Sequence, residues 1–141
     1  MPQFFKGTRL GWSNMTVNIL GRNVLGISAV NYSDEQEKEN LYGAGSLPVA
    51  RGLGNVKTEA SITLAIEEVE ALQNIAPNGN LRELPPFDII VQFKDKISNK
   101  IVTDVIKYCE FTNNKRDIKQ GDKTIDVEFK LAVAFIEWGK K

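Results

Sequence analysis

Apolar side chains fall at every second position over residues 125–135, where Ile125, Val127, Phe129, Leu131, Val133 and Phe135 share one face of an extended chain. The opposite face reads Thr124, Asp126, Glu128 and Lys130, then turns apolar at Ala132, Ala134, Ile136 and Trp138. A typical strand lasts about five or six residues, and a half-buried one keeps one face polar throughout. The stretch 122–138 therefore predicts one long strand whose far half is covered on both faces. In so short a chain, another subunit is a candidate for the second cover.

The same period two recurs upstream. Val56, Thr58, Ala60, Ile62, Leu64 and Ile66 face one way, and Lys57, Glu59, Ser61 and Thr63 the other. Residues 15–19 and 24–32 are apolar runs joined through Leu20, Gly21, Arg22 and Asn23, a hairpin signal. Gly26 inside the second run marks a bulge or a close backbone approach. Phe87, Ile89, Val91 and Phe93 alternate, and a turn over residues 95–100 leads into 101–111 as a second hairpin.

The period changes once. Over 67–76, Val69, Leu72 and Ile75 or Ala76 recur every three to four residues behind Glu67, Glu68 and Glu70, whose charges suit a helix N-terminus. Pro77 and Gly79 stop the helix. Two stretches resist either period. Residues 33–40 are polar and mainly acidic, and extend a strand into solvent or form a loop. Residues 42–54 hold four glycines and Pro48, which predict a long irregular loop. Leu47, Val49, Ala50 and Leu53 make that loop too apolar for a solvated linker, so it reads as a docking element. About six strands, one helix and hairpin-length connections predict a single mainly β domain over 1–141: an antiparallel β-sandwich or barrel with one flanking α-helix.

Composition narrows the chemistry more than it names it. The 141 residues are 42% hydrophobic and 26% charged, and 18 basic residues cancel 18 acidic ones. No general attraction to nucleic acid or anionic membrane follows, and near-zero net charge removes one brake on self-association. Histidine is absent, which removes Ser-His-Asp and Cys-His nucleophile activation and most zinc and iron sites. The single cysteine, Cys109, makes no intrachain disulfide and reads as a packed small residue. The N-terminus lacks a signal-peptide pattern, and no apolar run is long enough to span a membrane. The expectation is a soluble cytoplasmic product.

Candidate motifs resolve against catalysis. Gly43, Ala44 and Gly45 form a GxG, but Pro48 stands where a phosphate-binding helix would begin. Asp34, Glu35, Glu37 and Glu39, and Glu67, Glu68 and Glu70, are carboxylate groups without hydrolase or EF-hand spacing, and read as solvated charge. Lys94, Lys96, Lys100, Lys115, Arg116 and Lys119 are candidates for one basic end of the sheet, without the interleaved aromatics of a single-strand nucleic-acid platform. Trp12 and Trp138 are interface anchors or core caps. No enzyme, cofactor or metal site is expected.

The order of these pieces resembles the tail tube protein of bacteriophages with contractile tails, of prophages and of related injection machines, the fold group that includes type VI secretion tubes. The likeness rests on the early hairpin, the acidic run into Tyr42-Gly43-Ala44-Gly45-Ser46-Leu47-Pro48, the strand and helix after it, the Gln120-Gly121-Asp122 turn and the last strand ending at Trp138. It implies a structural virion protein forming stacked hexameric rings, a conduit for DNA delivered without specific binding. It also implies tail sheath, baseplate and tape-measure partners, and a place in the virion tail after synthesis in the host cytoplasm.

Carried onto this sequence, the resemblance makes residues 42–54 the inter-subunit element, through Tyr42, Gly43, Gly45, Leu47, Pro48, Arg51 and Leu53. An N-terminal arm over residues 1–12, with Trp12, and the end around Trp138 add ring-to-ring contacts. Asp34, Glu35, Glu37 and Glu39, or Asp126 and Glu128, become candidates for an acidic lumen. The alternatives are another ring-forming protein (a type VI tube ring, a non-contractile tube, a tail terminator or a head–tail connector) and a monomeric ligand- or nucleic-acid-binding β-barrel.

Overall fold

The computed structural model describes residues 15–94, 100–116, 118–121 and 123–140. Within them lie eight strands: β1 (Met15–Ile19), β2 (Arg22–Asn23), β3 (Ile27–Tyr42), β4 (Pro48–Ala65), β5 (Phe87–Lys94), β6 (Ile101–Phe111), β7 (Asp126–Ala132) and β8 (Phe135–Lys140). The helix α1 (Ile66–Ile75) matches the expected span to within one residue. Short 3₁₀ turns at Pro77–Gly79 and Leu81–Glu83 carry the chain from α1 to β5.

All pairings are antiparallel, in the order β2-β1-β5-β6-β7-β4-β3, with β8 on β6. The ladder is open, with β2 and β3 as its ends, so the architecture is a folded-over sheet and the barrel is not closed. Both halves point side chains into one core: Val17, Ile19, Ile89, Val91 and Ile106 from one, Ile62, Leu64, Val127 and Phe129 from the other. Phe111 meets Phe87 and Phe129 with ring centroids 5.5 and 5.3 Å apart, geometry that adds to area burial.

The first hairpin is shorter than its sequence suggests. Leu20 and Gly21 both take positive φ (55° and 78°) between the paired Ile19 and Arg22, a two-residue turn of the primed kind. β2 then ends after two residues, and β3 pairs with β4 instead of β1. Gly26 is the close approach its position predicts: a Cβ there would lie 2.6 Å from Glu68 Cγ. The Arg22 guanidinium pairs with the same Glu68, so one carboxylate ties α1 to this corner. The β5–β6 hairpin forms as expected.

The long final strand is two strands. β7 pairs with β4 from Asp126 to Leu131, and β8 pairs with β6 from Phe135 onward. Between them the chain turns at Val133 and Ala134 and changes partner, as corner strands do in folded sheets. The alternation inverts there. Val127, Phe129 and Leu131 are buried, but Phe135 is 44% exposed and Ile136 only 8%. The second apolar face is thus explained within the subunit by a phase change, and the second subunit inferred from it is not required.

Candidate assembly interface

Residues 42–54 are not an irregular loop. β3 continues through the acidic run to Tyr42, and β4 begins at Pro48, so only residues 43–47 form the turn. Glycine and proline are tolerated because this hairpin projects into solvent, where no neighbouring strand needs their hydrogen bonds. From Thr58 to Pro48 it reaches about 30 Å beyond the core at strand rise. We refer to it as the arm.

Two bulges set which side chains share a face. Gln36 pairs with Val56 and Lys38 with Leu53, so Gly54 and Asn55 stand opposite Glu37; nearer the tip, Leu41 pairs with Ala50 and Tyr42 with Pro48, leaving Val49 extra. Each bulge shifts β4 by one step. Val56 and Leu53, three apart, therefore fall on one face, with Gln36, Lys38, Asn40, Arg51 and Tyr42. This face continues the core-facing side of the sheet, where Val30, Ile62, Tyr32 and Ala60 sit. Leu53 there is 65% exposed, and Tyr42 and Val56 are exposed too.

The opposite face is acidic. Glu35, Glu37 and Glu39 occupy alternate positions of β3, with Lys57 across from Glu35 and glycines at 52 and 54 across from the other two. It runs onto the outer side of the body through Glu59, Asp126, Glu128 and Lys130. Six carboxylates meet two lysines on this surface. A shallow concavity of about 540 Å³ lies along it, bordered by Ser33, Glu59, Ser61, Glu128 and Lys130. Of the two carboxylate groups expected as alternatives, Glu35, Glu37 and Glu39 from one share this face with Asp126 and Glu128 from the other, whereas Asp34 points the other way.

Asp34 belongs to a latch at the root of the arm. Trp138 Nε1 donates to Asp34 Oδ2 at 2.8 Å, and its ring stacks on Tyr32 at 5.3 Å. The Tyr32 hydroxyl donates to Asp104 Oδ2, and the Gly139 amide to Asp104 Oδ1 at 2.9 Å. Asp104, 8% exposed, is the one buried charged residue among those described. Burial raises the Tyr32 hydroxyl pKa above its ordinary value, and the adjacent Asp104 reinforces the shift. Trp138 is thus an anchor between strands of its own subunit, with half its surface still exposed. Nothing in the sequence marked Tyr32 or Asp104, because a lone aspartate in an apolar strand has no motif.

The remaining expected sites fall apart or outside. Lys94 and Lys100 lie at one end of the β5–β6 hairpin. Lys115 and Arg116 follow the far end of β6, about 30 Å away at strand rise. Arg116 donates to Gln73 of α1, so no single basic end forms. Trp12, the arm expected over residues 1–12, Lys96 and Asp122 lie outside the described residues. Cys109 is fully buried, and burial pushes its thiol pKa up to about 12. Among the described residues no group of His, Cys, Asp or Glu could hold a metal, and no helix is long and apolar enough to cross a membrane.

Solved structures share this fold over nearly the whole chain. The tube-terminating cap of the anti-feeding prophage matches with a TM-score of 0.66 at 7% identity, covering 96% of this chain and 94% of that one. A chain of the sheath–tube complex of the extracellular contractile injection system PVC, in its extended state, matches at 0.62 and 11% identity, covering 92% of each. Hcp1 from Flavobacterium johnsoniae matches at 0.51 and 16% identity, covering 89% of this chain and 94% of that one. No protein-family model and no curated protein matches the sequence. The chain has the tail-tube fold, and the solved structures that share it include tube, cap and baseplate assemblies of contractile injection systems.

Proposed function

We propose that this chain is the ring-forming subunit of an inner tail tube, stacking as hexameric rings into a conduit. One observation carries the reading: the arm has two chemically distinct faces, one apolar and cationic, the other acidic and lined with glycine, on a tail-tube fold. A monomeric binding module has no use for a projecting hairpin of this kind. An assembly subunit does, because contacts that do not close upon themselves build filaments.

In this reading the concave acidic face lines the lumen, where carboxylates repel a nucleic-acid backbone and glycines leave little for cargo to catch on. The open sheet ends at β2 and β3 meet neighbouring copies, which removes exposed edges. Sheath, baseplate and tape-measure proteins are the further partners, and the tail is the location. The role is structural: the Tyr32 hydroxyl and the buried Asp104 carboxylate are engaged with each other and with the Gly139 amide in holding strands together.

Electron microscopy of the purified protein over a concentration series, beside light-scattering mass, tests this. Six-fold rings or tubes with a central hole support it. A monodisperse monomer at high concentration in the presence of a preformed ring or baseplate as initiator overturns it. The overlap with a tube-terminating cap supports a second reading, in which one ring forms and stops. Single rings that never stack, even at high concentration, select that reading.

A further inference from the structure

The apolar, cationic face of the arm has a counterpart on the same molecule that the arm does not reach. Arg51 makes only a hydrogen bond to Asn40 through Nε, and Lys38 makes no ion pair among the described residues. Between and beside them stand the exposed Leu53, Val56 and Tyr42. Two positive charges framing three apolar side chains call for a surface of opposite sign that is apolar at its centre.

The corner between β2 and α1 carries exposed apolar side chains with carboxylates on one flank, its cation, Arg22, being held by Glu68. Leu25, at 91% exposure, precedes Gly26, which lies against Glu68. On α1, Val69 and Leu72 face the core, so helical spacing turns Glu67, Glu70, Ala71 and Asn74 outward, with Ile75 on the Glu68 side. Ile75 is 64% exposed. Glu67 and Glu70 make no ion pair among the described residues. The last turn of α1 contains no basic residue.

The other exposed surfaces fit less well. The Tyr108–Phe135 patch is centred on Lys107, whose sign matches the arm and whose ammonium is held by Asp88 at 2.9 Å. The Glu35–Glu39 ladder has the charge but, over those positions, no exposed apolar side chain to match Leu53 and Val56.

We propose that the Lys38–Leu53–Val56–Arg51 face of the arm in one copy seats on the Leu25–α1 surface of a second copy. Lys38 and Arg51 then meet Glu67 and Glu70, and Leu53 and Val56 pack beside Ile75 and Leu25. The proposal rests on the tube reading for its occupant and adds the acceptor site.

The test mixes a Leu53→Cys copy with a differently tagged Ile75→Cys copy and treats them with a short bismaleimide; buried Cys109 stays in place. The expected result is a crosslinked pair whose yield falls about tenfold or more with Lys38→Glu plus Arg51→Glu. Adding Glu67→Lys plus Glu70→Lys to the second copy restores it, and circular dichroism checks that each variant is folded. Leu53→Cys crosslinking to Glu37→Cys instead, or a yield indifferent to charge reversal, overturns the proposal. Rings or tubes that form without the Leu53–Ile75 crosslink overturn the docking and leave the tube reading standing. A crosslink without rings does the reverse, and neither product at any concentration overturns both.

Discussion

The hydroxyl of Tyr32 donates to Asp104 across 2.5 Å, joining β3 to β6 although β4 and β7 stand between them in the ladder. Only a sheet folded back on itself brings these strands together, so this bond reports the closure of the sandwich at the root of the arm. Asp104→Ala leaves the Tyr32 hydroxyl and the Gly139 amide without their acceptor, at about 1–3 kcal/mol for each group that stays dry. The expected loss is about 2–3 kcal/mol in urea denaturation, with a red-shifted Trp138 emission as the indole loses its seat. Unchanged emission would show that Trp138 is held without the latch.

Alkaline pH should weaken the fold from two positions. The Tyr32 hydroxyl and the Cys109 thiol are both raised by burial above their ordinary values of 10.0 and 9.0. The folded protein keeps protons that the unfolded chain releases, so stability is full below pH 9.0 and falls above it. The decline begins with the unfolded thiol and steepens above pH 10.0 with the unfolded phenol. Urea midpoints between pH 8 and 11 should fall less steeply in Tyr32→Phe plus Cys109→Ala than in the parent. Parallel curves for the two proteins would contradict this.

Phe129 is completely buried and edge-on to Phe111. Phe129→Ala should cost about 3–5 kcal/mol, and Phe129→Asp should prevent folding by burying an unpaired charge. A normal melting temperature for Phe129→Asp would mean that β7 presents its other face to the core.

Trimming the arm separates folding from assembly. Glu39 pairs with Gly52, so replacing residues 40–51 by Asn-Gly closes a shorter hairpin without disturbing the register below. The trimmed protein should melt within a few degrees of the parent and form no rings or tubes. Loss of the folded state would place the arm in the core.

Gly26→Ala drives a methyl against Glu68 Cγ and, at 3.2 Å, Ala65 Cβ. Overpacking of this kind costs about 1–3 kcal/mol. Repeating the substitution in a Glu68→Ala background should remove much of the cost, a coupling that a double-mutant cycle reads directly. Additive losses would show that Glu68 is not the obstacle.

The sequence made some of this legible and hid the rest for identifiable reasons. Val69 and Leu72 set the helix, and Ile62 and Leu64 set the buried side of β4, because one face of each is buried and leaves a period. Glu35, Glu37 and Glu39 leave none: both faces of the arm are wet, so its strand character lies in backbone pairing that side chains do not announce. Bulges at Asn55 and Val49 scrambled the alternation further. At Ile136 the period was visible but misleading, because a change of partner between β7 and β8 shifts the phase by one residue. Asp104 and Tyr32 meet only through the fold.

The crossing strand has a mechanical meaning. Residues 126–140 are one covalent thread sewn into β4 at one end and β6 at the other, so the two halves of the sheet cannot part without tearing a ladder. Tension applied at the C-terminal end meets the Thr103–Lys107 rungs side-on, all loaded together, before any of it reaches β4. A wall built from such subunits would carry axial strain through its stitching, and the corner, where the Thr58 hydroxyl holds the Val133 carbonyl and the Ala134 amide donates to the Lys107 carbonyl, would hand that strain from one ladder to the other.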